Sequence, residues 1–209
     1  RVQSGLYRVT YVGNESTAPA RSVPGGKGER QARHALEAHL QRGATAASQS
    51  ELDRIWSSLG SADRGIRHAA RAALEIQAVG KWKGRIKGET NPVAATAAMI
   101  ALARVDAKNS ASTILEKAMS INYHKTDSRQ TRLDVLRSVT LALTRSGQPK
   151  EKATLIKWLD GIYPAQTPEE NRDLSAIAAF LQAPFAVERG MKLLANASGQ
   201  EEQIGYALN

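Results

Sequence analysis

The chain has 209 residues and no cysteine. A chain this long buries roughly 70% of its unfolded surface without a disulfide or metal staple. The missing cysteines exclude thiolate metal sites, c-type haem attachment and a cysteine nucleophile within these residues. The net charge of +9 is uneven: residues 1–88 hold 15 Lys and Arg against 7 Asp and Glu, whereas residues 89–209 hold 14 against 13. A basic first half can attract nucleic acid, anionic lipid or an acidic protein, but an excess this modest and scattered reads first as an ordinary solvated surface.

In chain order, Leu6-Tyr7-Arg8-Val9-Thr10-Tyr11-Val12-Gly13 is rich in β-branched and aromatic residues and ends at a Gly-Asn turn signal. It predicts one β-strand, so residues 1–13 read as an orphan strand whose partners lie in a preceding domain. Residues 14–28 read as a linker, because Pro19, Pro24, Gly25, Gly26 and Gly28 interrupt any period. From residue 29 to 209 the pattern is helical. A first helix is expected over 29–41. A second is capped by Ser50, carries Leu52, Ile55 and Leu59 on one face and stops at Gly60. Asp63 caps a third, whose stripe of Ile66, Ala69, Ala70, Ala73, Leu74 and Gln77 is small enough for close helix approach.

Asn91-Pro92 combines a good cap with a residue preorganised for the first helical position. The helix it opens runs to about Val105 and is apolar nearly all round, which predicts a central place. Further helices are expected at about 109–120, 128–146 (ending at Gly147) and from Pro149 to Gly161. Thr167-Pro168-Glu169-Glu170 is a capping box, and Ser198-Gly199-Gln200-Glu201 repeats its spacing before a last helix at 200–208. No uninterrupted run of about 18 apolar residues exists, so no membrane span is expected. The opening Arg1-Val2-Gln3, without an initiator Met, reads as a fragment of a longer protein.

Apolar pairs recur at Ala73-Leu74, Ala101-Leu102, Ala142-Leu143 and Phe180-Leu181, with spacings of 28, 41 and 38 residues. That range fits stacked helical hairpins, and the fold expected is an all-α, HEAT-like solenoid with a right-handed superhelix; an irregular bundle is the alternative. No catalytic or metal site is expected. The four histidines are dispersed, and H-E-x-x-H, G-x-S-x-G and Walker spacings do not occur. One surface is a candidate for binding an anion or a partner. Arg64, Arg67, His68 and Arg71 share the polar side of the third helix, and Lys81, Trp82, Lys83, Arg85 and Lys87 follow. Basic residues beside a Trp can hold phosphate and stack on a base. The competing reading makes Trp82 a packing anchor with the charges solvated, and pairs Arg71 with Glu75. Trp56 and Trp158 read as packing residues beside core leucines.

The run Asp63-Arg64-Gly65-Ile66-Arg67-His68-Ala69-Ala70-Arg71-Ala72-Ala73-Leu74-Glu75 resembles the HEAT-repeat portion of large exported planctomycete-type proteins. These are described as membrane-bound dehydrogenases with a haem-binding domain. Trp82, the stretch from Asn91-Pro92 to Val105 and the opening Gly5–Gly13 are similar to the same proteins, the last to the closing strand of their β-propeller. The resemblance implies a dehydrogenase-like propeller before this segment, a cytochrome c-like domain after it, and an extracytoplasmic (periplasmic or cell-surface) location. Haem would belong to the downstream domain, since C-x-x-C-H is missing here. The function expected is a non-catalytic scaffold that contacts neighbouring domains or another protein. The alternative is a nucleic-acid-binding repeat protein that uses the basic first half.

Overall fold

The computed structural model describes residues 5, 7–19, 25–41 and 46–208. Among them the chain is all-helical. The expected N-terminal strand does not form: Tyr7 to Val12 adopt no regular secondary structure and stand exposed, Val9 at 96%. Leu6 lies outside the described residues. The physical reason is the one that makes a lone strand marginal. β-propensity reflects packing on a pleated surface, and among the described residues no second strand supplies it.

The first helix, α1 (Lys27–Glu37), begins two residues earlier than expected and runs into a 3-10 turn at Ala38–Leu40. It takes the last two residues of the supposed linker. Helix α2 (Gln49–Ser58) is capped by Ser48, not Ser50: the Ser48 hydroxyl accepts from the Glu51 N–H while the Glu51 carboxylate accepts from the Ser48 N–H. That reciprocal pair satisfies two orphan donors, which Ser50 cannot do at its position inside the first turn. Gly60 follows the helix, and a Cβ there would sit 2.8 Å from the Asn91 amide nitrogen. Glycine at that position permits the close approach of the α2 end to Asn91 and Ala94.

Helix α3 (Arg64–Ile76) is capped by Asp63, whose carboxylate accepts from the Ile66 N–H at 2.9 Å. Its small residues Ala69, Ala70 and Ala73 are buried. After a 3-10 turn and the single turn α4 (Arg85–Gly88), α5 spans Pro92–Ser120 under the Asn91 cap. Asp106 leaves helical geometry (φ −147°, ψ 35°) and kinks α5 into halves, 92–105 and 107–120. The two helices expected there are thus joined by one residue. The Asp106 carboxylate stabilises the kink by accepting from Asn109 (2.7 Å) and Ser110 (2.6 Å).

Helix α6 (Arg129–Ser146) ends at Gly147, whose φ of 81° suits glycine alone. Then come α7 (Lys152–Ile162), α8 (Pro168–Phe180), α9 (Ala186–Asn196) and α10 (Gln200–Ala207). The helix α9 has no side-chain cap to announce it, and α10 starts without the expected serine cap. Arg189 fastens α9 to the end of α7 by donating to the Tyr163 carbonyl and Asp160.

Two sets of contacts organise the molecule. Helices adjacent in sequence pack together: α2 on α3, α4 on α5, α7 on α8, α9 on α10. A second series skips one helix, α1 on α3, α3 on α5, α6 on α8 and α8 on α10, while α5 on α6, adjacent in sequence, joins its two halves. The core between is continuous and holds Leu52, Leu74, Met99, Leu102, Leu136, Leu159 and Leu174. Leu102 and its neighbours Ala101 and Ala103 are fully buried, which is the central place that an all-round apolar helix needs. No described helix is long and apolar enough to cross a membrane.

Candidate functional site: an arginine-lined groove

Helices α3, α5 and α6 enclose an open groove of about 560 Å³. Its position follows from the helix ends. The Asp63 cap starts α3 so that Arg64, Arg67, His68 and Arg71, spaced by three and four residues, fall on one face above the buried alanine stripe. The first half of α5 forms the floor with Val93, Ala97 and Ile100, and contributes Arg104 at its far end. Helix α6 closes the other side with Gln130, Asp134, Arg137 and Leu141.

These cations are held differently. Arg67 donates to the carbonyls of Ser61 (2.7 Å) and Ala62 (2.8 Å), so it clamps the turn before its own helix. Glu75 joins Arg71 and Arg104 across α3 and α5, with Arg104 Nε at 2.9 Å. The Arg71 guanidinium also lies 3.3 Å from His68 Nδ1. Arg64 and Arg137 are exposed and make no close ion pair among the described residues. On α6, burial pushes the Asp134 carboxyl above the ordinary carboxylate range, against the hydrogen bond from Gln130 and the opposing pull of Arg67, Arg137 and Arg71.

The groove continues into a second hollow of about 260 Å³ between α6 and α8, which shares Gln130, Asp134, Arg137 and Leu141 and adds Glu169, Arg172 and Asp173. Burial raises the Asp173 carboxyl too, against Arg172 and Arg137. The charge therefore changes along the trough, from arginine-rich at α3 to mixed at α8.

The sequence cluster is divided by this geometry. Arg64, Arg67, His68 and Arg71 line the groove, whereas Lys81, Trp82, Lys83, Arg85 and Lys87 do not. Trp82 is completely buried and its indole N–H donates to the Gln77 carbonyl at 3.2 Å, so it packs and offers no ring to a base. Arg85 pairs with Asp53 of α2 at 2.7 Å and stands 5.8 Å from the centre of the Trp56 ring. Lys81, Lys83 and Lys87 are exposed. Trp56 and Trp158 both pack against the core; the Trp56 indole donates to Glu89 at 2.7 Å, and the Trp158 ring meets Tyr123 edge to face. Arg104, Asp134 and Arg137 were not singled out from the sequence. Their signal is three-dimensional, because they lie 33, 63 and 66 residues beyond Arg71 in the chain.

A second polar cluster is interior. Glu170 is 1% exposed, and its carboxylate accepts from the Tyr123 hydroxyl (2.8 Å), Arg132 Nε (2.6 Å) and the Thr167 hydroxyl (2.7 Å). Burial alone would raise this carboxyl, but the hydrogen bonds from Arg132, Thr167 and Tyr123 outweigh it and hold the group below its ordinary range. Burial and the same carboxylate push the Tyr123 phenol upward. Glu170 was expected only as the far member of a capping box. Its side chain instead ties α8 to α6 and to the turn holding Tyr123. Among the described residues no buried side-chain nitrogen or oxygen lacks a partner, and no group of three acidic or histidine side chains is placed to hold a metal. Comparison of the chain with protein-family models, with curated proteins and with solved structures returns no match.

Proposed function

We propose that this chain is a HEAT-like helical-hairpin scaffold, a protein-interaction module without catalysis of its own, whose binding face is the groove between α3, α5 and α6. The observation that carries the proposal is the convergence of Arg64, Arg67, Arg71, Arg104 and Arg137 on one apolar-floored trough. Five guanidinium groups against the carboxylates of Glu75 and Asp134 leave the concavity net positive, which favours an anionic partner.

The hairpin reading is supported by the two contact series and by a recurring local device. Helices α3, α5, α6 and α8 each start at a side-chain cap, Asp63, Asn91, Ser128 and Thr167, at spacings of 28, 37 and 39 residues. Four residues after the cap, Arg67, Arg132 and Asn171 each reach back to a backbone carbonyl six residues earlier, in Ser61, Thr126 and Ala165. Three of four units thus fasten their inter-helix turn in the same way, as repeats of one supersecondary unit would. The superhelix is proposed to be right-handed. On the resemblance of the sequence, the module would space a dehydrogenase-like propeller from a haem domain in an extracytoplasmic protein, with haem bound outside this chain. Stoichiometric haem or turnover in the chain itself would overturn that part.

The groove is tested by a polyglutamate titration at low salt, observed through the arginine side-chain resonances. Shifts at Arg64, Arg71, Arg104 and Arg137 are expected, diminishing as salt rises. Unchanged resonances with both polyglutamate and DNA would overturn the groove as a binding face. Nucleic-acid binding is the second reading and draws on the same arginines. It requires a steep fall of affinity with salt, by the release of counterions from phosphates. It is weakened by Trp82, whose burial removes the stacking ring.

A further inference from the structure

We infer that the groove takes an acidic peptide segment carrying apolar side chains, with its carboxylates toward α3 and a basic residue toward α8. This rests on the proposal above that the groove is the binding face, and it names the occupant.

Three features select such a peptide over a uniform polyanion. At the α3 side, Arg71 and Arg104 share a single carboxylate, Glu75, and Arg64 has no close ion pair among the described residues, which leaves positive charge in excess. Planar guanidinium groups match carboxylates in bidentate geometry. Along the floor, Val93, Ala97, Ile100 and Leu141 are only half-buried, so apolar surface is exposed between the charged walls. Leucine or phenylalanine side chains gain from covering it, whereas a phosphate backbone does not. At the α8 end, Asp134, Glu169 and Asp173 face the trough beside Arg137 and Arg172. A nucleic-acid strand carries one sign of charge throughout and meets repulsion there. A peptide can change sign and place a lysine against these acids.

The half-buried states of Asp134 and Asp173 agree with this direction, because a cation brought beside a desolvated carboxylate stabilises its charged form.

The test is fluorescence anisotropy on the full chain with three labelled probes at one salt concentration. The first is a short peptide of Asp, Glu, Leu and Phe closed by lysine, made in both orientations. The others are an all-glutamate peptide and a single-stranded oligonucleotide of equal length. The mixed peptide is expected to bind about tenfold tighter than either polyanion, the worth of one or two covered apolar side chains. Arg64→Glu combined with Arg137→Ala should weaken it about tenfold. Ile100→Ser should weaken the mixed peptide and leave the polyanions unchanged. Asp173→Asn should erase the preference for a terminal lysine. Ala97→Gln, which lays a neutral polar side chain over the floor without changing the charge, gives the same discrimination if Ile100→Ser fails to fold.

An oligonucleotide that binds as tightly as the peptide, through the arginines and without regard to Ile100 or Ala97, overturns the peptide inference and leaves the groove standing. Peptide binding that is indifferent to the Arg64 and Arg137 changes in a folded variant overturns the groove itself, as does the failure of every probe to bind.

Discussion

Replacing Glu170 by alanine removes the acceptor shared by Tyr123, Arg132 and Thr167. The cost can be worked from their exposure. The Tyr123 residue is 5% exposed, so its hydroxyl loses its partner out of reach of bulk water, a penalty of about 1–3 kcal/mol. Breaking a buried ion pair on one side costs about 3–5 kcal/mol. Arg132 loses less than that, because its side chain is 18% exposed and still donates to the Thr126 carbonyl at 2.6 Å. A net loss of about 3 kcal/mol at neutral pH is expected, read as a lower urea midpoint at unchanged slope. The pH dependence has a definite sign. The folded carboxyl is held below its ordinary value of 4.5, so its stabilisation is fully present above that value. It is lost as pH falls through the folded-state value. The gap between wild type and Glu170→Ala should therefore be constant from pH 6 to 8 in rough terms and shrink in acid. Glu170→Gln, which keeps the shape, should cost less. A loss below about 1 kcal/mol for the alanine variant, or a gap that grows in acid, would refute the reasoning.

Other positions give independent checks. Leu102→Ala leaves a cavity in a fully buried site and should cost about 2–5 kcal/mol in denaturant unfolding; a loss near zero would place α5 at the periphery. Asn91→Ala removes the acceptor for the Val93 and Ala94 N–H groups and should cost about 1 kcal/mol in the same assay. Gly147→Ala forces a side chain into positive φ where no clash with neighbours exists, so a loss of about 1–3 kcal/mol would be conformational strain alone.

The groove shows how far helix periodicity reaches. Spacing of three and four residues places Arg64, Arg67, His68 and Arg71 on one face of α3 whatever that helix packs against. It could not say which helix would face them. Arg104 arrives because the first half of α5 lies against α3, and Arg137 because α6 lies against α5. Lys81 to Lys87 are closer to α3 in the chain than either, yet they fall elsewhere, since Trp82 turns inward to the core.

What the sequence determined by itself was local. Asp63, Asn91 and Thr167 mark helix starts because a short polar side chain can satisfy N–H groups two or three residues away, with no help from the rest of the fold. Gly147 marks an end for a similarly local reason. The tertiary structure decided whatever depends on a distant partner. Tyr7 to Val12 have the composition of a strand and form none, because backbone pairing needs a second strand. Glu170 looks like one more cap residue and becomes a buried link between α8, α6 and Tyr123, because only packing removes it from water and brings Arg132 to it.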